Sequence, residues 1–361
     1  MSRVNSKNLF NFKPAGKLDD DIAAMYKKME EGASNQEAKA VTDKMADLLG
    51  REDEEANKEY LEMFRSMCGS MVLSMLSNPV LEGWEERVLT SSITVPTKHD
   101  GQFDVPVEVY TPKQLEGERM RAAYVYAHGG GAVAMSAAHM NKHLSKYAAD
   151  NDLVVFNVDY RLAPETKCPN NIKDFYEAIK YVHTNAEALG IDPGKICIGG
   201  ESGGGYICLG AMVLLAENNE SSMVKVAVPG IPMTDDYCFS DPLAMTVEER
   251  QQHLMMRKIW KHYIAADWEE QKHNPHLFPG KSSEELLERF PPTIMLEAEF
   301  DFYITEATRL AGRLRRAGRL LELVVIPGSP HGVGFFTGTK GCELQWTVMD
   351  TIAREYIHGE F

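Results

Sequence analysis

From about residue 105 onward, the apolar residues of this chain alternate between two textures. Short runs at 105–110, 122–127, 153–158, 195–199, 224–228, 293–298 and 321–326 read as strands, and the continuous run at 153–158 is typical of a strand buried on both faces. Between them lie stretches with helical spacing. Ile172, Phe175, Ile179 and Val182 fall on one face of a helix that ends by Gly190. Residues 206–216 are apolar all round and predict a buried helix, and 304–317 and 344–357 predict two more. Strand–helix alternation of this kind predicts an α/β fold with a mostly parallel sheet flanked by helices, joined by right-handed crossovers. Residues 235–290 interrupt the alternation. They hold a helix-like stretch at 254–263 and breakers at Pro275 and Pro279, and read as an insertion.

Residues 1–85 have a different style, helical and charged. Ser34 and Glu37 have capping-box spacing ahead of Val41, Met45, Leu48 and Leu49. A second helix spans about 54–76 and carries Met63, Met67, Met71 and Met75 at steps of four. That stripe has two readings, a packed core face or the adaptable lining of an apolar pocket with Met67 and Met71 as its pocket residues. The texture changes at about Trp84. No internal repeat or low-complexity tract is present.

Composition narrows the class. The 361 residues are 44% hydrophobic and 25% charged, which excludes wholesale disorder. Thirty-eight basic against 53 acidic residues give a formal net charge of −15, which disfavours nucleic acid and anionic membrane as partners. Six cysteines without a CxxC pair or a Cys/His cluster predict neither a disulfide framework nor a metal site, and Cys197 and Cys208 sit in apolar runs as core residues. The N-terminus leads into no apolar run of signal-peptide type, and no stretch approaches the roughly 18 apolar residues of a membrane helix. A cytoplasmic location without integral membrane contact is the resulting expectation.

Chemistry enters at Gly200-Glu201-Ser202-Gly203-Gly204, a G-x-S-x-G placed between a predicted strand and a predicted helix. That context is what a nucleophile elbow requires, with the Ser202 hydroxyl lifted above the sheet over a helix N-terminus. His128-Gly129-Gly130-Gly131 follows the 122–127 strand, where unshielded backbone N–H groups can face an oxyanion. A serine hydroxyl needs a base, and the base needs an orienting carboxylate. Glu299-Phe300-Asp301 and Ser329-Pro330-His331-Gly332 stand after the next two strands, at the sheet end where catalytic loops gather. His331 is the candidate base and Asp301 the candidate acid, with Glu297 and Glu299 as its rivals. His253, His262, His273 and His276 fall in the insertion and read as solvated.

At these residues the chain resembles the hormone-sensitive-lipase-like branch of the α/β-hydrolase fold, which includes arylacetamide-deacetylase-like carboxylesterases. The resemblance rests on His128–Gly131, the run Asp159-Tyr160-Arg161-Leu162-Ala163-Pro164-Glu165, Gly200–Gly204, Glu299–Asp301 and His331-Gly332, and covers roughly residues 86–361. It implies Ser202 as nucleophile, Asp301 and His331 as its partners, and the N–H groups of Gly130, Gly131 and Gly203 as oxyanion hole. It implies a brace from Arg161 and Glu165 to the oxyanion and nucleophile loops. It also implies a cap built from residues 1–85 and the insertion at 235–290 over a hydrolase domain at 86–361. Two departures border the pocket. Gly203 stands where the family usually has alanine, and Asp301-Phe302-Tyr303 replaces Asp-Pro-Leu.

The expected activity is carboxylic ester hydrolysis on a small uncharged or apolar ester, without cofactor or metal. Two alternatives stay open: acyl transfer or lyase chemistry on the same triad, and a non-catalytic binding role like that of the plant hormone receptors that resemble this branch. Retention of all three triad residues argues against the second. Homodimer formation is left open.

Overall fold

The computed structural model describes residues 16–33, 36–76, 81–97, 99, 101, 103–113, 120–235, 254–260 and 271–359. Among the described residues eight strands form one sheet in the order β1-β2-β4-β3-β5-β6-β7-β8. They are β1 (Val88–Thr97), β2 (Phe103–Pro112), β3 (Arg121–Ala127), β4 (Leu153–Val158), β5 (Ile191–Glu201), β6 (Val226–Gly230), β7 (Thr293–Phe300) and β8 (Leu320–Pro330). The β1–β2 and β2–β4 pairings are antiparallel, and the remaining five are parallel. Every residue of β3, β4 and β6 is buried, as the unbroken apolar runs require.

Helices cover both faces. On one side lie α5 (Asn170–Thr184), α6 (Gly203–Glu217) and α7 (Ile304–Arg316), with Ile172, Phe175, Leu209 and Leu310 in the same core cluster. On the other lie α4 (Asn141–Asn151) and α8 (Lys340–Ile352), whose Tyr147 and Met349 pack with Tyr124 and Tyr126 of β3. Residues 203–216 of α6 are buried without exception, so a helix apolar all round becomes the centre of its layer. No helix among the described residues is long and apolar enough to cross a membrane. Cys197 and Cys208 are fully buried core residues.

Ahead of the sheet run α1 (Asp20–Ala33), α2 (Gln36–Gly50) and α3 (Glu54–Leu76). Ser34 of the predicted capping box lies outside the described residues. Helix α3 buries Ala56, Tyr60, Leu61, Phe64 and Cys68. Met63 and Met67 are not on this face: Met63 is only partly buried and Met67 is 44% exposed. Two aromatic rings at i and i+4 remove more apolar area from water than the thioethers and decide the orientation. The side chain of Met71 lies outside what is described.

The N-terminal segment reaches the C-terminal end of the sheet. Ile22 packs with Ala298, Val333 and Phe336, the Asp19 N–H bonds the Gly328 carbonyl, and the Lys340 N–H donates to Asp21. Half of the insertion lies outside the described residues. Its helical piece at 254–260 docks on α2, where buried Lys258 donates to the carbonyls of Leu48 and Arg51 at that helix's C-terminal end.

Candidate active site

Strand β5 ends at Glu201 and α6 begins at Gly203, so Ser202 makes the whole turn between them. It does so at φ 56°, ψ −117°, a conformation that costs a non-glycine residue on the order of 1–3 kcal/mol and holds only where its surroundings impose it. The Ser202 N–H is tied to the Gly230 carbonyl of β6 at 2.9 Å. A side chain at Gly204 would run into the Ala127 carbonyl of β3, so the second motif glycine is a packing requirement. A Cβ at Gly203 would stand 2.5 Å from the Gly131 nitrogen and 2.6 Å from that of Ala132. The loop 128–132 approaches too closely for alanine, which accounts in steric terms for this departure from the family pattern.

Ser202 Oγ lies 2.8 Å from His331 Nε2, and His331 Nδ1 lies 2.7 Å from Asp301 Oδ2. Asp301 is 4% exposed, and its Oδ1 accepts the Tyr303 N–H at 2.8 Å. The two rival carboxylates face elsewhere. Glu299 accepts the N–H groups of Gly16 and Gly328 at 3.0 and 2.9 Å. Glu297 points into the interior, and neither of its oxygens has a hydrogen-bond partner among the described residues. A serine, an imidazole and a carboxylate in this geometry can pass a proton from hydroxyl to imidazole while the carboxylate orients the ring.

The loop after β3 is set by contacts on every side. Val133 and Ala134 donate to the Gly130 carbonyl. His128 is fully buried, stacked 4.3 Å from the Tyr160 ring, with Nδ1 2.8 Å from the Gly129 carbonyl. Burial lowers its pKa to about 4, so the ring is neutral and Nδ1 carries the donated proton. Tyr160 Oη donates to the His128 carbonyl at 2.7 Å, and Asp159 accepts the Ala137 N–H at 2.8 Å. Arg161 pairs with buried Asp174 of α5 at 2.8 Å. Glu165 instead takes a bidentate bond from Arg65 of α3, at 2.8 and 2.7 Å. Arg65 further donates to the carbonyls of Val133 at 2.6 Å and Ala163 at 2.9 Å. The Glu165 side chain is 63% exposed, so the pair contributes mainly by geometry.

Apolar groups pack against the loop after β3 and against the imidazole. Ile259 Cγ2 comes within 3.3 Å of where a side chain at Gly131 would begin. Trp260 packs edge-on against Tyr206, with ring centroids 4.9 Å apart, and donates its indole N–H to Tyr303 Oη at 3.1 Å. The Phe302 ring lies 4.5 Å from His331. Both rings of the Phe302-Tyr303 departure thus pack on the imidazole. Sequence reasoning missed Arg65, Glu201, Ile259 and Trp260. The helix-like pattern at 254–263 was the one available signal for Ile259 and Trp260, and an acid between two glycines was the signal for Glu201. His276 of the insertion pairs with Glu217 at 2.8 Å.

Burial, reinforced by the nearby Asp301 charge, holds the Glu297 carboxyl well above the usual carboxylate range. It therefore keeps its proton when folded at pH values where the unfolded chain, with a pKa of about 4.3, has lost it. The stability this group contributes is complete below that value and declines as pH rises. Glu297→Gln removes the linkage. Its stability relative to wild type is expected to climb from pH 5 to pH 8 by up to about 1.4 kcal/mol per unit. Urea unfolding at each pH measures this, and a difference constant with pH would mean that Glu297 is ionised in the fold.

A family model described as the alpha/beta hydrolase fold matches residues 124–335. An AB hydrolase superfamily protein of Schizosaccharomyces pombe is 30% identical over 253 residues, covering 68% of this chain and 73% of the relative. An ethyl acetate hydrolase of Pseudomonas putida is 27% identical over 314 residues, covering 87% and 91%. Among solved structures, a bacterial heroin esterase superposes with a TM-score of 0.71 at 28% identity, covering 81% of this chain and 90% of that one. With its sheet order, its elbow and the Asp159–Glu165 run, the chain belongs to the α/β-hydrolase family, in its hormone-sensitive-lipase-like branch of carboxylic ester hydrolases.

Proposed function

We propose that the protein cleaves a small uncharged or apolar ester as a serine hydrolase, through an acyl-serine intermediate. The observation that carries this reading is the hydrogen-bonded series Ser202–His331–Asp301, with separations of 2.8 and 2.7 Å. Ser202 Oγ attacks the ester carbonyl carbon while its proton passes to His331 Nε2. Asp301 accepts the Nδ1–H bond and steadies the imidazolium. The carbonyl oxygen becomes an oxyanion against the N–H groups of Gly130, Gly131 and Gly203, aided by the α6 N-terminus. The imidazolium returns its proton to the departing alcohol. A water, deprotonated by His331, then attacks the acyl carbon and regenerates Ser202.

Residues 1–85 and 235–290 form the cap in this reading. The bonds from Lys258 to α2, and the seat of Ile22 beside Val333, support it. Ile259, Trp260 and Phe302 give the substrate an apolar wall, which suits an ester without charge. Five free cysteines among the described residues fit a reducing compartment such as the cytosol.

A fluorophosphonate probe followed by peptide mass spectrometry tests the reading. It should label Ser202 in the wild-type protein and leave His331→Ala unlabelled. Labelling elsewhere, or none, would remove the serine mechanism. A panel of p-nitrophenyl esters of rising chain length then tests the wall. Ile259→Trp should lower kcat/KM for butyrate and longer esters by about tenfold or more relative to acetate. Met67→Ala should leave chain-length preference unaltered, since that side chain is exposed.

A further inference from the structure

The residue ahead of Ser202 is a carboxylic acid, and the mechanism above gives it nothing to do. Glu201 is buried, 6% exposed, at the end of β5. Its Oε1 accepts a hydrogen bond from Gln345 Nε2 of α8 at 2.6 Å, and Gln345 is itself 2% exposed. Its Oε2 has no hydrogen-bond partner among the described residues. That oxygen lies 2.9 Å from where a side chain at Gly334 would begin, and the same Cβ would collide with Gln345 Nε2. Gly334 belongs to the turn Val333–Phe335, directly after His331. Its carbonyl accepts bonds from Cys342 Sγ at 3.2 Å and Trp346 Nε1 at 3.1 Å, both on α8. Helix α8 therefore holds the histidine loop, and Glu201 ties α8 to the nucleophile elbow. A buried polar link costs desolvation and is tolerated where it fixes one arrangement.

We propose that Glu201, through Gln345, is a positioning residue that sets His331 against Ser202 and whose carboxylate favours the imidazolium formed during turnover. The proposal rests on the reading of Ser202 and His331 as nucleophile and base. Burial pushes the Glu201 carboxyl up to about 7, and the His331 charge works against that rise. The groups facing it are Tyr126 from β3, Cys342 from α8 and His331 from its loop. Burial keeps Tyr126 neutral and pushes the Cys342 thiol up to about 12, so His331 is the member of this set whose charge changes as the reaction turns over. Glu201 is neutral in acid and becomes an anion as pH rises through about 7, which adds its own inflection to the rate profile.

The test uses the full chain with Gln345→Leu, Glu201→Gln and Glu201→Ala. It measures kcat and KM on p-nitrophenyl acetate from pH 5.5 to 9, with thermal melts alongside. Gln345→Leu should lower kcat about 10- to 100-fold, since a small misplacement of a catalytic group has effects of that size, with KM within about twofold. Glu201→Gln should recover at pH 6 a large part of what Glu201→Ala loses, because its amide oxygen can accept the same bond, and should lack the inflection near 7. Wild-type kcat in Gln345→Leu overturns the positioning role, and an unaltered pH profile in Glu201→Gln overturns the electrostatic one. If Glu201→Ala does not fold, the other two variants still decide. Failure of the parent reading is separate: the wild-type protein would then not be labelled at Ser202 by the phosphonate.

Discussion

Replacing Ser202 by alanine is expected to lower kcat on the order of 10⁶-fold, the scale found when the nucleophile of a comparable serine hydrolase is removed. Among the described residues the side chain has one partner, His331 Nε2 at 2.8 Å, and the site is partly open to water. Losing that bond should change stability by only about 1 kcal/mol, so the variant should melt close to wild type. The elbow is held by the Ser202 N–H bond to Gly230 and by the close fit of Gly204, neither of which needs the hydroxyl. Folded protein without turnover is thus the expected outcome, with a small residual rate from the oxyanion contacts and substrate binding. Retention of more than a few per cent of wild-type activity on p-nitrophenyl acetate would assign the nucleophile to another residue.

Asp301→Asn should be the next most severe change, roughly 10⁴-fold in kcat. Asp301 has two obligations: Oδ1 accepts the Tyr303 N–H and Oδ2 accepts the His331 Nδ1–H. Asparagine can meet only one as an acceptor. The backbone N–H cannot be anything but a donor, so the amide oxygen turns to Tyr303 and the amide nitrogen to the imidazole. His331 must then carry its proton on Nε2, the atom that has to accept from Ser202. The base is disabled by its tautomer while the site keeps its shape. Glu299→Gln serves as the contrast. Glu299 holds the Gly16 and Gly328 N–H groups, so its variant should lose thermal stability and keep kcat per folded molecule. If Glu299→Gln proves worse for kcat than Asp301→Asn, the orienting carboxylate has been assigned to the wrong residue.

The elements legible from the chain are those whose apolar pattern has one interpretation. The run at 153–158 has no polar face, and it is β4 to the residue. The candidate site was legible because its parts follow one another in fixed chain order after successive strands. Strand β1 escaped because residues 89–92 are all exposed at the sheet edge, and a Leu-Thr-Ser-Ser stretch has no buried alternation to show. Helix α4 escaped because most of its residues are polar. The start of β5 was misplaced because Pro193-Gly194 reads as a break, although Ile191 already pairs with Arg121. In α3 two stripes compete on one helix, and only the partner surface decides between methionines and Tyr60-Phe64. The links from Arg65 and Lys258 end on backbone carbonyls far away in the chain, and a carbonyl leaves no trace in residue identity.

The bonds from Arg65 also make α3 and the loop after β3 thermodynamic partners. Whatever free energy α3 lends to the loop conformation through Val133 and Ala163, a molecule that occupies the loop returns to α3 in equal measure. In the proposed cap, the N-terminal helices are then coupled to the loop they lie over. In the proposed mechanism their resistance to local opening should rise and fall with each acyl group carried by Ser202, so backbone amides of α3 would serve as a gauge of occupancy at that serine.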